Sequence, residues 1–157
     1  LPAIAEDGLC SAAKDISMAG VLGTALMLAE CSRVGLRIDL SALPHPPGHG
    51  HDEAPAAFLR WLQAFPSYGY LLSVAPDDVA AVQARFLSRG LACAPIGTVE
   101  AGSGVWLQRG GLHGKPGGHW PEQAPQDLAL LWDWQREPFI AGERPVGAAA
   151  DAAGASA

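Results

Sequence analysis

Charge is scarce in this chain. Only 17% of its 157 residues are Asp, Glu, Lys or Arg, and acidic residues outnumber basic ones 16 to 10, for a formal net charge of −6. The few Lys and Arg are scattered, so no basic stripe exists to neutralise a row of phosphates, which argues against nucleic acid as a partner. Small phosphorylated molecules stay open, because backbone N–H groups and a metal can hold them without basic side chains. No apolar run approaches the length of a membrane span. Cysteine is rare, odd in number and widely spaced: Cys10, Cys31 and Cys93 form no Cys-x-x-Cys. That pattern fits reduced thiols in a cytoplasmic protein, each read as a packing residue among apolar neighbours. There is no Gly-x-Ser-x-Gly elbow, no Walker phosphate loop and no Cys-His arrangement in a supporting context. Leu1-Pro2 is neither an initiator Met nor a basic leader, and the chain reads as a fragment.

What is abundant is apolar. Hydrophobic residues make up 49% of the chain, enough at this length to bury one sizeable core. Helix and strand signals alternate. Helices are predicted over 3–13, 18–32, 53–64 and from Pro76 to the break at Gly90; strands over 36–40, 68–74, 91–94, 96–100 and 105–109. In the 53–64 helix, Phe58, Leu59, Leu62 and Phe65 are expected on one side. Val79, Val82, Phe86 and Leu87 are expected to form the buried stripe of the next helix. Gly102-Ser103-Gly104 reads as the turn of a hairpin joining the last two strands. Residues 110–126 read as a Gly/Pro-rich loop, 127–135 as a last helix, and the Ala/Gly tail after Pro145 as disordered. The succession implies an α+β fold, helices packed with a mixed sheet in α/β/α layers.

The most informative stretch runs from Lys14 to Gly23. Ser17 is a good N-cap, and from Met18 onward apolar residues recur at helical spacing. The unpaired N–H groups and positive dipole end of such a helix attract anions. Gly20 and Gly23, lacking Cβ, would let a ligand or another backbone come close. Asp15, just outside the helix, could bind a Mg²⁺ that bridges phosphate oxygens. A purely structural reading covers the same residues: Ser17 as cap, Asp15 as an acceptor within the turn, the glycines as permission for close packing.

Asp15-Ile16-Ser17-Met18-Ala19-Gly20-Val21-Leu22-Gly23 resembles the Asp-[Ile/Val]-[Ser/Thr]-x-Gly-Leu motif that opens the second domain of the aminoimidazole ribonucleotide (AIR) synthetase superfamily. Thiamine-monophosphate kinase, selenophosphate synthetase and a hydrogenase maturation factor are other members. The phrases Ala13-Lys14-Asp15-Ile16-Ser17-Met18-Ala19-Gly20, Leu28-Ala29-Glu30-Cys31-Ser32, Phe65-Pro66-Ser67-Tyr68-Gly69 and Ile96-Gly97-Thr98-Val99 resemble the AIR synthase-related group of bacterial proteins in particular, over about residues 1–140. The resemblance implies a C-terminal domain over 1–145 with a partly ferredoxin-like architecture, a tail over 146–157, and an N-terminal ATP-binding domain lying outside this fragment. It implies ATP and Mg²⁺ as cofactors of the intact protein, Asp15 as the metal ligand, Ser17 and Gly20 as nucleotide contacts, and a homodimer. It implies ligase-like chemistry, the phosphorylation of a carbonyl or amide oxygen on an unidentified small molecule. No catalytic residue is assigned, and the fragment alone is expected to be inactive and to bind no cofactor tightly. Met18 stands where thiamine-monophosphate kinase has a second Asp, and Ser67-Tyr68-Gly69-Tyr70 lacks that enzyme's acidic substrate contact. Kinase activity on thiamine phosphate is therefore not expected, and a binding or scaffold domain that kept only the fold is the alternative.

The histidines offer rival chemistry. His45, His49 and His51, followed by Asp52, could supply imidazole ligands to zinc, but they lie on a Pro/Gly-rich loop where nothing fixes their orientation. His113 and His119 stand in a similar segment. Trp61, Trp106, Trp120, Trp132 and Trp134 read as core or interface residues. Trp132 and Trp134, two apart, could face opposite sides and mark a surface that a missing domain would cover.

Overall fold

The structure, a computed structural model, describes residues 1–50, 53–64, 68–109 and 128–140. A short helix α1 (Pro2–Glu6), with proline in its first turn, leads into strand β1 (Ala12–Asp15). Helix α2 (Gly20–Ser32), strand β2 (Gly35–Asp39) and a 3-10 turn (Leu40–Ala42) follow. Then come α3 (Pro55–Leu62), β3 (Tyr70–Ser73), a second 3-10 turn (Pro76–Asp78) and α4 (Val79–Leu87). Strands β4 (Gly97–Glu100), β5 (Gly104–Gln108) and β6 (Ala129–Asp133) complete the described elements.

The expected α+β fold with a mixed sheet forms, and a two-stranded ribbon stands beside it. The sheet has the order β4-β2-β5-β6, with β2 parallel to β5 and the outer pairs antiparallel. The ribbon pairs β1 with β3, from Ala12 opposite Ser73 to Asp15 opposite Tyr70. Helix α2 joins the two: Ala25, Leu26 and Ala29 pack on Ile38 of β2, Val105 of β5 and Trp134. Val21, at its start, packs with Leu43 and with Phe58 and Leu62 of α3. Leu22 of α2 and Leu71 of the ribbon touch both clusters, so the start of α2 is held from several sides. The Arg85 guanidinium on α4 donates to the Ala3 carbonyl at 2.9 Å and pairs with Asp7, tying α4 to α1.

Several sequence expectations are corrected. The first helix stops at Glu6, followed by a left-handed Gly8, because Ala12 and Ala13 are drawn into the ribbon with β3. No hairpin joins β4 to β5; β2 lies between them and takes hydrogen bonds from both, so local turn chemistry yields to a more distant partner. The last predicted helix is instead strand β6. Its Ala129-Leu130-Leu131-Trp132 run suits either state by pattern, and the open edge of β5 decides it. Residues 91–94 join no strand ladder among the described residues. On α3, Phe58 and Leu62 are buried but Leu59 is exposed; on α4 only Val82 is buried and Leu87 is exposed. Phe65, the 110–126 loop and the tail fall outside the described residues.

Candidate functional site: the ribbon-to-helix junction

Asp15 ends β1 and faces solvent; its side chain is 66% exposed, with the Lys14 ammonium 3.4 Å away. Beyond it the ribbon continues for one more bond, from the Ile16 N–H to the Gly69 carbonyl at 2.9 Å. The chain then turns sharply. Ala19 and Gly20 take successive left-handed conformations, φ 67° and 66°, before α2 proceeds. The helix thus starts two residues later than the sequence predicts, and Ser17 is not its N-cap. The N-cap is Ala19, which gives no side-chain hydrogen bond.

What holds the turn is Thr24, a fully buried residue one turn into α2. Its hydroxyl accepts from the Ser17 N–H at 3.1 Å and donates to the Gly20 carbonyl at 2.9 Å. The Ser17 carbonyl in turn accepts from the Gly20 N–H at 3.1 Å. Gly20 is buried, and a Cβ there would come within 1.9 Å of the Leu62 carbonyl oxygen at the end of α3. Its identity is therefore explained by backbone packing and positive φ, and its amide is already engaged. Gly23 has a similar reason, since a Cβ would meet that of Ala19 at 2.4 Å.

Among the described residues, three that are not glycine have positive φ: Ala19, Arg33 and Tyr68. Arg33 caps the C-terminus of α2, an ordinary use of the left-handed region. The other two flank the junction, Ala19 on the helix side and Tyr68 two residues before β3, with Tyr68 89% exposed. Strain of this kind costs of order 1 kcal/mol or more per residue and concentrates at functional sites. Met18 is also exposed, at 72%. Sequence reasoning singled out Asp15, Ser17 and Gly20 at this junction but not Thr24, which secures the turn, or the left-handed Tyr68 beside it. A threonine in the apolar face of α2 was the one available signal for Thr24; the left-handed Tyr68 had none.

Beside the junction lies a groove of about 410 Å³. Leu22 and Leu26 of α2, Leu62 and Gln63 at the end of α3, Leu131 of β6 and Phe139 line it. Phe139 is fixed in place by Glu30, a buried carboxylate of α2 that accepts from the N–H groups of Phe139 and Ile140 at 2.7 and 3.1 Å.

The rival sites do not assemble. Among the described residues no group of three or more His, Cys, Asp or Glu is placed to hold a metal. His45 instead sets its ring edge-on to Phe58 and Trp61, and His49 bonds the Pro47 carbonyl. His51, Asp52, His113 and His119 lie outside the described residues. Of the cysteines, Cys31 is exposed, contrary to the packing role expected of it, while burial pushes the Cys93 thiol pKa up. Trp132 and Trp134 pack on the same core instead of facing apart: Trp134 donates to the Val34 carbonyl at 3.0 Å, and Trp132 meets Phe139 edge to face. No helix among the described residues is long and apolar enough to cross a membrane.

Comparison with known proteins places this α+β domain in a class. The chain matches the family described as AIR synthase related protein, C-terminal domain, over residues 1–110, and it belongs to that family. A Synechocystis sp. protein of uncharacterised function is 40% identical over 139 residues, and one from Methanocaldococcus jannaschii, likewise uncharacterised, is 29% identical over 139. Each match takes in 88% of this chain and 36% of the relative, so the chain spans about a third of those proteins. Among solved structures, Thermotoga maritima PurL complexed with ATP matches with a TM-score of 0.55 and 15% identity, over 68% of this chain and 17% of the other. Phosphoribosylformylglycinamidine synthase II from the same organism gives 0.57 and 14%, over 85% and 25%. At these identities the likeness is one of fold.

Proposed function

We propose that the chain is the C-terminal domain, over residues 1–145, of an ATP-dependent AIR synthase-like enzyme that phosphorylates a carbonyl or amide oxygen of a small molecule. The observation that carries this reading is the placement of Asp15. It is an exposed carboxylate at the end of β1, directly ahead of a helix start that draws no side-chain cap. The donor set fits Mg²⁺, which takes one or two carboxylates and leaves its other positions to water and substrate phosphates. When bound, the metal would supply neutralisation of charge on a transferring phosphoryl group. The chain's own part is positioning. In this reading Asp15 holds the cation and the Ser17 hydroxyl contacts the nucleotide, while Gly20, its own amide engaged by the Ser17 carbonyl, gives the turn its shape and Thr24 keeps that turn from relaxing. Lys14 adds a positive charge beside Asp15. PurL, a fold relative, has been crystallised with ATP, ADP and AMPPCP, which supports a nucleotide in the intact protein. The chain spans about a third of its relatives, which supports further domains in the intact protein; in this reading an N-terminal one completes the ATP site, and the intact enzyme is a cytoplasmic homodimer.

The test is ADP release by the longer polypeptide with Mg·ATP and a panel of amides, amidines and phosphorylated metabolites. Turnover abolished by Asp15→Ala is the expected result. Turnover that survives that change refutes the assignment of Asp15. The second reading, a scaffold that kept the fold without catalysis, is favoured by Met18, an exposed apolar side chain in the middle of the motif. It predicts neither turnover nor ATP binding, with partner association unaffected by Asp15→Ala.

A further inference from the structure

The groove beside the junction has no part in the function proposed above. Helix α2 contributes Leu22, Gly23 and Leu26, which share one side of that helix. The end of α3 adds Leu62 and Gln63, and Phe139 stands with Leu131 of β6. Phe139 is the most firmly held of these. The Glu30 carboxylate, itself buried in α2, accepts from the Phe139 and Ile140 N–H groups at 2.7 and 3.1 Å. Trp132 meets the Phe139 ring edge to face, with centroids 6.1 Å apart. The ring tip reaches α2 at Gly23, 3.7 Å from where a Cβ would stand. A buried carboxylate is costly unless its oxygens are bonded, and here its bonds fix the backbone that carries an aromatic wall.

The make-up of the lining narrows the occupant. Its volume of about 410 Å³ falls within the roughly 300–1,000 Å³ of small-molecule sites, which are likewise apolar with a few polar groups. Eight of the described residues line it, against roughly 20–30 on each side of a stable protein interface, so it suits a ring better than a second chain. None of the eight carries a charge, and a charged group entering would lose water without gaining a partner. Phe139 presents an aromatic surface to a second ring. Gln63 is the one polar side chain among the eight; it is exposed and offers both a donor and an acceptor. We propose that the groove binds an uncharged aromatic group of a small molecule, its ring against Phe139 and Leu131 and a hydroxyl or amide substituent turned to Gln63. The site stands on its own walls and holds whether or not Asp15 takes a metal.

Benzyl alcohol, benzoate and benzylammonium, alike in ring and different in charge, serve as probes for the 157-residue chain with ¹³C-labelled leucine methyls. Benzyl alcohol should bind with a Kd on the order of millimolar, as a ligand this small allows. It should shift the Leu22, Leu26 and Leu131 methyls saturably and give them intermolecular NOEs to its ring. The two charged probes should bind at least about tenfold more weakly. Phe139→Leu, which keeps an apolar side chain, should weaken benzyl alcohol about two- to tenfold, the worth of one aromatic pair. Gln63→Ala, at an exposed position, should weaken benzyl alcohol by about the same factor and leave toluene, which lacks the hydroxyl, unchanged. No saturable shift, an equal response to all three charge forms, or benzyl alcohol binding unchanged in both variants overturns the proposal. So do groove methyl shifts that follow protein concentration without any probe, which would assign the groove to a second copy of this chain.

Discussion

Replacing Gly20 by alanine puts the account of the junction at most risk. Two separate costs follow from the structure. With φ at 66°, an alanine at this position would occupy the left-handed region, at about 1–2 kcal/mol for a residue with a Cβ. The new Cβ would also come within 1.9 Å of the Leu62 carbonyl oxygen and 2.8 Å of its carbon. These are backbone atoms at the end of a helix and cannot swing aside as a flexible side chain would. Forcing α3 away from α2 is an overpacking defect worth roughly 1–3 kcal/mol. The sum, about 2–5 kcal/mol, is a large part of the roughly 5–15 kcal/mol typical of a whole domain. Gly48→Ala is the control. It shares a positive φ, 75°, but its Cβ would meet nothing within 4 Å, so it should show the conformational cost alone. Urea unfolding of the two variants, with unchanged slopes, separates the steric part as their difference. If Gly20→Ala is no more destabilising than Gly48→Ala, the close approach of α2 to α3 does not explain this glycine, and a ligand-facing role for its backbone gains weight.

Thr24→Val, nearly isosteric, leaves the Ser17 N–H and the Gly20 carbonyl without their partner; it should cost about 1–3 kcal/mol and speed hydrogen exchange at the Ser17 amide, and unchanged protection there would remove Thr24 from the turn. At acid pH, Asp133 is the informative group. The Ser103 hydroxyl, donating to its Oδ1 at 2.7 Å, holds its carboxyl below the ordinary 3.8 against the opposing pull of burial, with help from the Gln135 and Arg136 N–H groups. Its stabilising contribution is therefore complete above the ordinary carboxylate value and is lost as pH falls from there through the lowered folded value. Ser103→Ala should bring the folded pKa back up and shift acid unfolding to higher pH, and an acid transition that does not move would dismiss the pair as a contributor.

Much of the architecture can be read from the sequence, and where the reading fails the reason is tertiary. The apolar period from Val21 to Ala29 fixes α2, and Pro76 with Gly90 brackets α4 within a few residues, because these signals act over one or two turns of chain. The Asp15-to-Gly23 motif shows where a strand hands over to a helix, and the resemblance it carries leads to the right family. Pattern did not show that β2 would slip between β4 and β5, or that Leu130-Leu131-Trp132 would extend on an open strand edge, since hydrogen bonds between distant segments decide both. The same holds within the site. Residue types alone made Ser17 a helix cap, yet the left-handed pair Ala19 and Gly20 delays the helix, and the hydroxyl that secures the turn belongs to Thr24. Gly20 was legible as a glycine needed for closeness; that the close neighbour is the backbone of Leu62 was settled only when α3 folded back on α2. The groove has no sequence signature at all, because its walls come from α2, the end of α3, β6 and Phe139, which lie far apart in the chain.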